Sequence, residues 1–252
     1  LSELGHSVRV IQSAADVPSM PIRVERMVTM AKGNPVGPES NEASQVESLI
    51  AGKSAIDMAK AIAESAPNAL HRDVAAKVAV QLEALKAAGS EVGATIVQVG
   101  DKLPSNVASM LQGRSLGVVL TDNPEGGTPT SHIYIRGASV SDRSGLTFQV
   151  ITHELLHAAT NSAIAAGVRT GNSSNPFGKL AKDLGNLTRA VQARVIVLSQ
   201  GDVSKLPEFQ QRVISKMNNA TDSGSEIMAW GMTNSDFQQF LETIPARDDK
   251  TA

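Results

Sequence analysis

Two histidines one helical turn apart, His153 and His157, lie in a stretch whose apolar residues restrict what it can become. Phe148, Ile151, Leu155, Ala158 and Ser162 recur at three- and four-residue spacing, which gathers them on one side of an α-helix. His153, Glu154 and His157 fall roughly opposite. Ser144 suits an N-cap and Gly167 a C-terminal stop, so the helix is expected over about 146–166. Its apolar side should enter the core and its other side should present the His-Glu-His group.

The rest of the chain must build that core with few rings. Only 3% of the 252 residues are aromatic, with one Trp and one Tyr, so Ala, Val, Leu, Ile and Met have to fill it, in helices packed closely through Ala. Residues 1–38 are broken by Pro18, Pro21, Gly33, Pro35 and Gly37, with a short strand signal at Val8, Val10 and Ile11, and read as an extended arm or linker. Residues 39–252 read as the folded domain, with a helical lead-in over 39–68 and a core over 69–252. Helical spacing from Asn41 to Ala88, interrupted at Pro67 and Asn68, predicts two helices, the second over 69–88 and ended by Gly89. Three β-rich runs follow, 94–99, 116–121 and 132–136, as strands of one small sheet. The third alternates Ile133 and Ile135 against His132, Tyr134 and Arg136, as a half-exposed edge strand does. Helices are expected again over about 177–200, 205–217 and 224–243, which makes the fold class α+β with a mostly helical C-terminal part.

Both imidazoles of the motif can reach one metal ion. The chain has no Cys, so any ligand must be His, Asp or Glu. In zinc peptidases of this arrangement the glutamate beside the pair, here Glu154, is not a ligand; it takes a proton from the attacking water and returns it to the leaving amine. One Zn2+ ion is therefore the expected cofactor, and it needs a third protein ligand. The long three-histidine pattern requires Gly at 160 and His at 163, where this chain has Thr160 and Ala163, and no His follows His157. A downstream carboxylate or, upstream, His132 remains. Glu226 is the first choice, because it lies in an otherwise apolar helical run and a metal accounts for a buried Glu with no obvious cation partner. An exposed place on a short helix is the lesser alternative. Asp222, one turn earlier, is the other carboxylate, as ligand or as a partner that orients a ligand His.

Two His and a Glu on one helix with a second Glu on a later one resemble the HExxH metallopeptidases of the gluzincin type. The resemblance implies a zincin-like fold in which a backing helix, a small sheet with an exposed edge strand, the active-site helix and the glutamate helix follow one another. Here these would be 69–88, 94–136, 146–166 and 224–231. It further implies hydrolysis of peptide bonds in a peptide or protein substrate, with His153, His157 and Glu226 as metal ligands and Glu154 as general base and acid. More narrowly, residues 152–160 followed by 226–234 look like peptidase-like domains embedded in large bacteriophage and mobile-element polyproteins. That likeness implies neighbouring polyprotein or virion parts as partners, and association with a virion or delivery into a bacterial host cell. The chain opens on Leu1 rather than Met, as a processed product or a segment of something longer would.

The pattern also departs from that family. Its members carry an Asp one turn after the ligand Glu, where this chain has Trp230, and a downstream His or Tyr for the oxyanion, whereas all five His and Tyr134 lie at or before the motif. Oxyanion stabilisation would fall to the metal, to Arg189 or Arg194, or to His132 and Tyr134. His132 and Tyr134 would also contact substrate if an extended peptide added to the strand around 132–136 through main-chain hydrogen bonds. As polar residues on a wet strand face they need no such role. His6 and His71 receive no role, and Met217, Met228 and Met232 read as core filler. A formal net charge of −2 without a dense Lys/Arg block offers nothing to nucleic acid, and no apolar run approaches the ~18 residues of a membrane span. Two other functions stay open: a weakly active or inactive zincin-fold structural module of a phage or secreted polyprotein, and a zinc amidase acting on cell-wall peptides.

Overall fold

The computed structural model describes residues 26–31, 40–112, 115–122, 124, 128–137, 145–170, 176–217 and 224–244. In chain order they form β1 (Arg26–Ala31), α1 (Ser40–Ile50), α2 (Ala55–Ser65), α3 (Ala69–Ala87), β2 (Glu91–Val97), α4 (Ser105–Gln112), β3 (Gly117–Asp122), β4 (Thr130–Arg136), α5 (Phe148–Thr170), α6 (Pro176–Ser199), α7 (Glu208–Met217), α8 (Gly224–Thr233) and α9 (Ser235–Glu242). The protein is mixed α and β, and mostly helical. Among the described residues no helix is long and apolar enough to cross a membrane.

The lead-in has two helices before Pro67 rather than one. Gly52 adopts φ 69°, a left-handed turn that favours glycine, and Ser54 then caps α2 by accepting from the Asp57 amide. Asn68 caps α3 in the same way from Leu70, and Gly89, at φ 88°, follows its end. Residues 105–112 form α4, a helix that β-rich runs on either side obscured. The single helix expected over 224–243 is two, because the Asn234 side chain accepts from the Phe237 amide and starts α9 afresh.

The sheet has four strands in the order β1-β3-β4-β2. β3 lies antiparallel to both β1 and β4, while β2 and β4 run parallel. Two expectations change. Residues 26–31, read as part of an arm, form an edge strand; the strand signal at Val8, Val10 and Ile11 lies outside the described residues. And β4 is an inner strand, its main chain bonded to β3 on one side and β2 on the other, so residues 132–136 offer no free edge to an added peptide. Its alternation, correctly read, comes from two covered faces: Ile133 and Ile135 enter the main core, while Tyr134 packs with Val97, Val107, Leu111, Val118 and Leu120 against α4 on the other.

α5 is the central helix. It packs on α3, α6, α8 and the sheet, so the side carrying His153, Glu154 and His157 is as buried as the side carrying Ile151 and Leu155. Over residues 150–159 the helix is buried on every side and has no solvent face to present, contrary to the expectation of one apolar and one polar side. Thr147 begins it, with its hydroxyl accepting from Val150 and its carbonyl from Ile151; Ser144 lies outside the described residues. Gly167 does not stop the helix, which continues to Thr170.

Candidate metal centre

α5 and α8 build the site. Successive turns of α5 bring His153 and His157 to one side, and α8 crosses that side with Ser225, Glu226 and Thr233. The Nε2 atoms of His153 and His157 are 3.0 Å apart, and the Glu226 carboxylate lies 3.2 Å from the first and 3.4 Å from the second. All three side chains offer ligand atoms within 4.8 Å of one another. Donors bound tetrahedrally at about 2.0–2.1 Å from an ion stand about 3.3 Å apart, so this spacing suits a small divalent cation. The donor chemistry, two imidazoles and a carboxylate without thiolate, agrees.

The electrostatics are of a piece with that. Burial alone would raise the Glu226 carboxyl, but the close approach of the His157 and His153 rings, at 3.4 and 3.2 Å, outweighs it and holds the carboxyl well below the usual carboxylate range. Glu226 is therefore an ionised carboxylate, the form in which it can act as a ligand.

Around this triad a set of buried polar groups orients the imidazoles. His157 Nδ1 lies 2.8 Å from the Ser225 hydroxyl, which itself donates to Asn161 Oδ1 at 2.7 Å. His153 Nδ1 faces the Thr233 hydroxyl at 3.5 Å, and the carbonyl of Thr233 accepts from His71 Nε2 at 3.2 Å. Trp230, one turn after Glu226, sets its ring edge-on to His153 with centroids 6.5 Å apart. Glu154 is fully buried beside the pair and lies against Gly117 of β3.

Of the residues singled out from sequence, His153, His157 and Glu226 come together, Glu154 is buried against Gly117 of β3, and Asp222 lies outside the described residues. His132 and Tyr134 do not join them. They share the sheet face away from α5, where the rings meet at 4.5 Å, His132 bonds Thr95 at 2.8 Å, and its ring fills the space a side chain at Gly93 would take. Burial there pushes the His132 imidazole below its ordinary value. Sequence reasoning missed Asn161, Ser225, Thr233 and Gly117. Asn161 had a signal, since it extends the His153-His157 stripe by one more turn. No protein-family model, curated protein or solved structure matches the chain.

Proposed function

We propose that this chain is a zinc-dependent hydrolase of peptide bonds, of the gluzincin type, with His153, His157 and Glu226 as metal ligands and Glu154 as general base and acid. The convergence of His153 Nε2, His157 Nε2 and the Glu226 carboxylate on one point carries this reading. Zinc in such a set supplies Lewis acidity that lets water attack a carbonyl near neutral pH. Glu154, next to His153 in the sequence and buried, would take the proton from that water and return it to the departing amine. Ser225 and Thr233 hold the far side of each imidazole, so the ligands do not rotate away.

Peptide addition, if it occurs, cannot use β4, whose main chain is paired on both sides. The sheet edge that also packs against α5 and α8 is β1, and an extended substrate is best accommodated along it. His132 and Tyr134, on the other sheet face, are not part of this proposal.

Glu154→Gln should keep zinc at about one equivalent and lose hydrolysis by about 100-fold or more. Undiminished turnover by that variant removes Glu154 from the chemistry. Glu226→Ala should weaken zinc binding, and unchanged retention reassigns the third ligand. The complete burial of Glu154 favours a second reading, a metal-holding structural module without turnover. Tight zinc together with no cleavage of a protein library or of peptidoglycan would select it; cleavage of peptidoglycan alone would select a cell-wall amidase.

A further inference from the structure

A buried chain of hydrogen bonds leads from His157 into the sheet. Ser225 Oγ lies 2.8 Å from His157 Nδ1 and donates to Asn161 Oδ1 at 2.7 Å. Asn161 Nδ2 donates to Thr121 Oγ1 at 3.3 Å, and Thr121 Oγ1 meets Ser131 Oγ across β3 and β4 at 3.0 Å. Ser225, Asn161 and Thr121 are fully buried and Ser131 nearly so.

We infer that Ser225 and Asn161 are positioning residues that fix the tautomer of His157, holding its proton on Nδ1 so that Nε2 offers a lone pair to a metal ion before the ion arrives. This rests on the reading of His153, His157 and Glu226 as metal ligands. A serine hydroxyl has one proton, and Ser225 gives it to Asn161, so towards His157 it can only accept. Nδ1 must then carry the hydrogen, and a neutral imidazole so protonated has an unprotonated Nε2. Asn161 is the element that sets this direction. Its amide nitrogen is turned to Thr121, which leaves its carbonyl oxygen for Ser225. With the amide reversed, Ser225 would donate to Nδ1 and Nε2 would carry the hydrogen, aimed at the Glu226 carboxylate 3.4 Å away. The triad would then be bonded to itself rather than open to a cation. Because the chain is buried and anchored on two strands, solvent does not scramble its direction.

The test uses the full chain with 15N-labelled histidine. In the metal-free parent, long-range 15N–1H spectra should show the His157 ring, identified by its loss in His157→Asn, as the Nδ1–H tautomer; Nε2–H there overturns the inference. Zinc affinity, measured by chelator competition, should fall about 10- to 100-fold in Ser225→Ala and in Asn161→Leu. Asn161→Asp keeps an acceptor towards Ser225 and should stay within a few-fold of the parent. Variants that lose thermal stability when metal-free yet bind zinc as tightly as the parent show a merely structural role and overturn the inference alone. A parent that binds no zinc overturns the metal-site reading and the inference together. Where a variant does not fold, the tautomer of the parent decides.

Discussion

At Gly117 an added Cβ would lie 2.6 Å from Cγ of Glu154 and 2.7 Å from its Oε1, closer than atoms can approach. Glu154 is held where it is because β3 has no side chain at that point. Gly117→Ala should therefore displace the carboxylate, and since a misplacement of about 1 Å can cost about 100-fold in rate, hydrolysis should fall steeply while zinc stays bound. Full activity with bound zinc in that variant would mean that the Glu154 carboxylate does not act from this place. The approach of His153 to His157 was legible in the sequence because helical spacing is a local property of residues 153–157. Glu226 was legible from its apolar neighbours Ile227, Ala229 and Trp230, each buried around it. Gly117 was not, because its role exists only once a strand and a helix distant in sequence are packed together. Asn161 escaped notice for a different reason: an amide is not a ligand type, and its part depends on Ser225 arriving from another helix.

Between elements, His71 joins α3 to the last turn of α8 through the Thr233 carbonyl. Burial lowers its imidazole below the ordinary 6.5, more than the bond to Thr233 raises it. The folded protein thus holds His71 neutral while the unfolded chain takes up a proton as the pH falls through about 6.5, so the contribution is full above that value and is lost progressively below it, down to the lowered folded-state value. Metal-free parent should lose more stability than metal-free His71→Gln between about pH 7 and 5, read from denaturant midpoints; parallel losses would remove His71 as the source. Helices with clear periods and caps were readable to within a few residues: α3 ends at Ala87 before Gly89, and α6 spans Pro176–Ser199. Strand order was not. Alternation in 132–136 reports two unlike faces, and an inner strand between a deep core and a shallower one alternates much as an edge strand does. The strand Arg26–Ala31 was hidden by prolines and glycines on both sides of a short β-capable run, whose pairing to β3 is a long-range fact.

Across the whole molecule the scarcity of rings shaped one core and not the other. Around α5 the interior is aliphatic and small, with Ala55, Ala59, Ala75, Ala79, Ala158 and Ala229 among its members, as composition implied. In the C-terminal helices the few rings are concentrated instead, Trp230 edge-on to Phe237 at 5.9 Å and Phe237 stacked near Phe240 at 6.1 Å. Trp230 is the only indole in the chain and stands 6.5 Å from the ring of His153. The protein therefore carries a built-in optical reporter on its candidate metal centre: all of its tryptophan emission comes from that single, buried place. Copper(II) added to the metal-free chain should quench it, levelling off at about one equivalent. Fluorescence indifferent to copper, in a chain that binds the ion, would put the ion somewhere else.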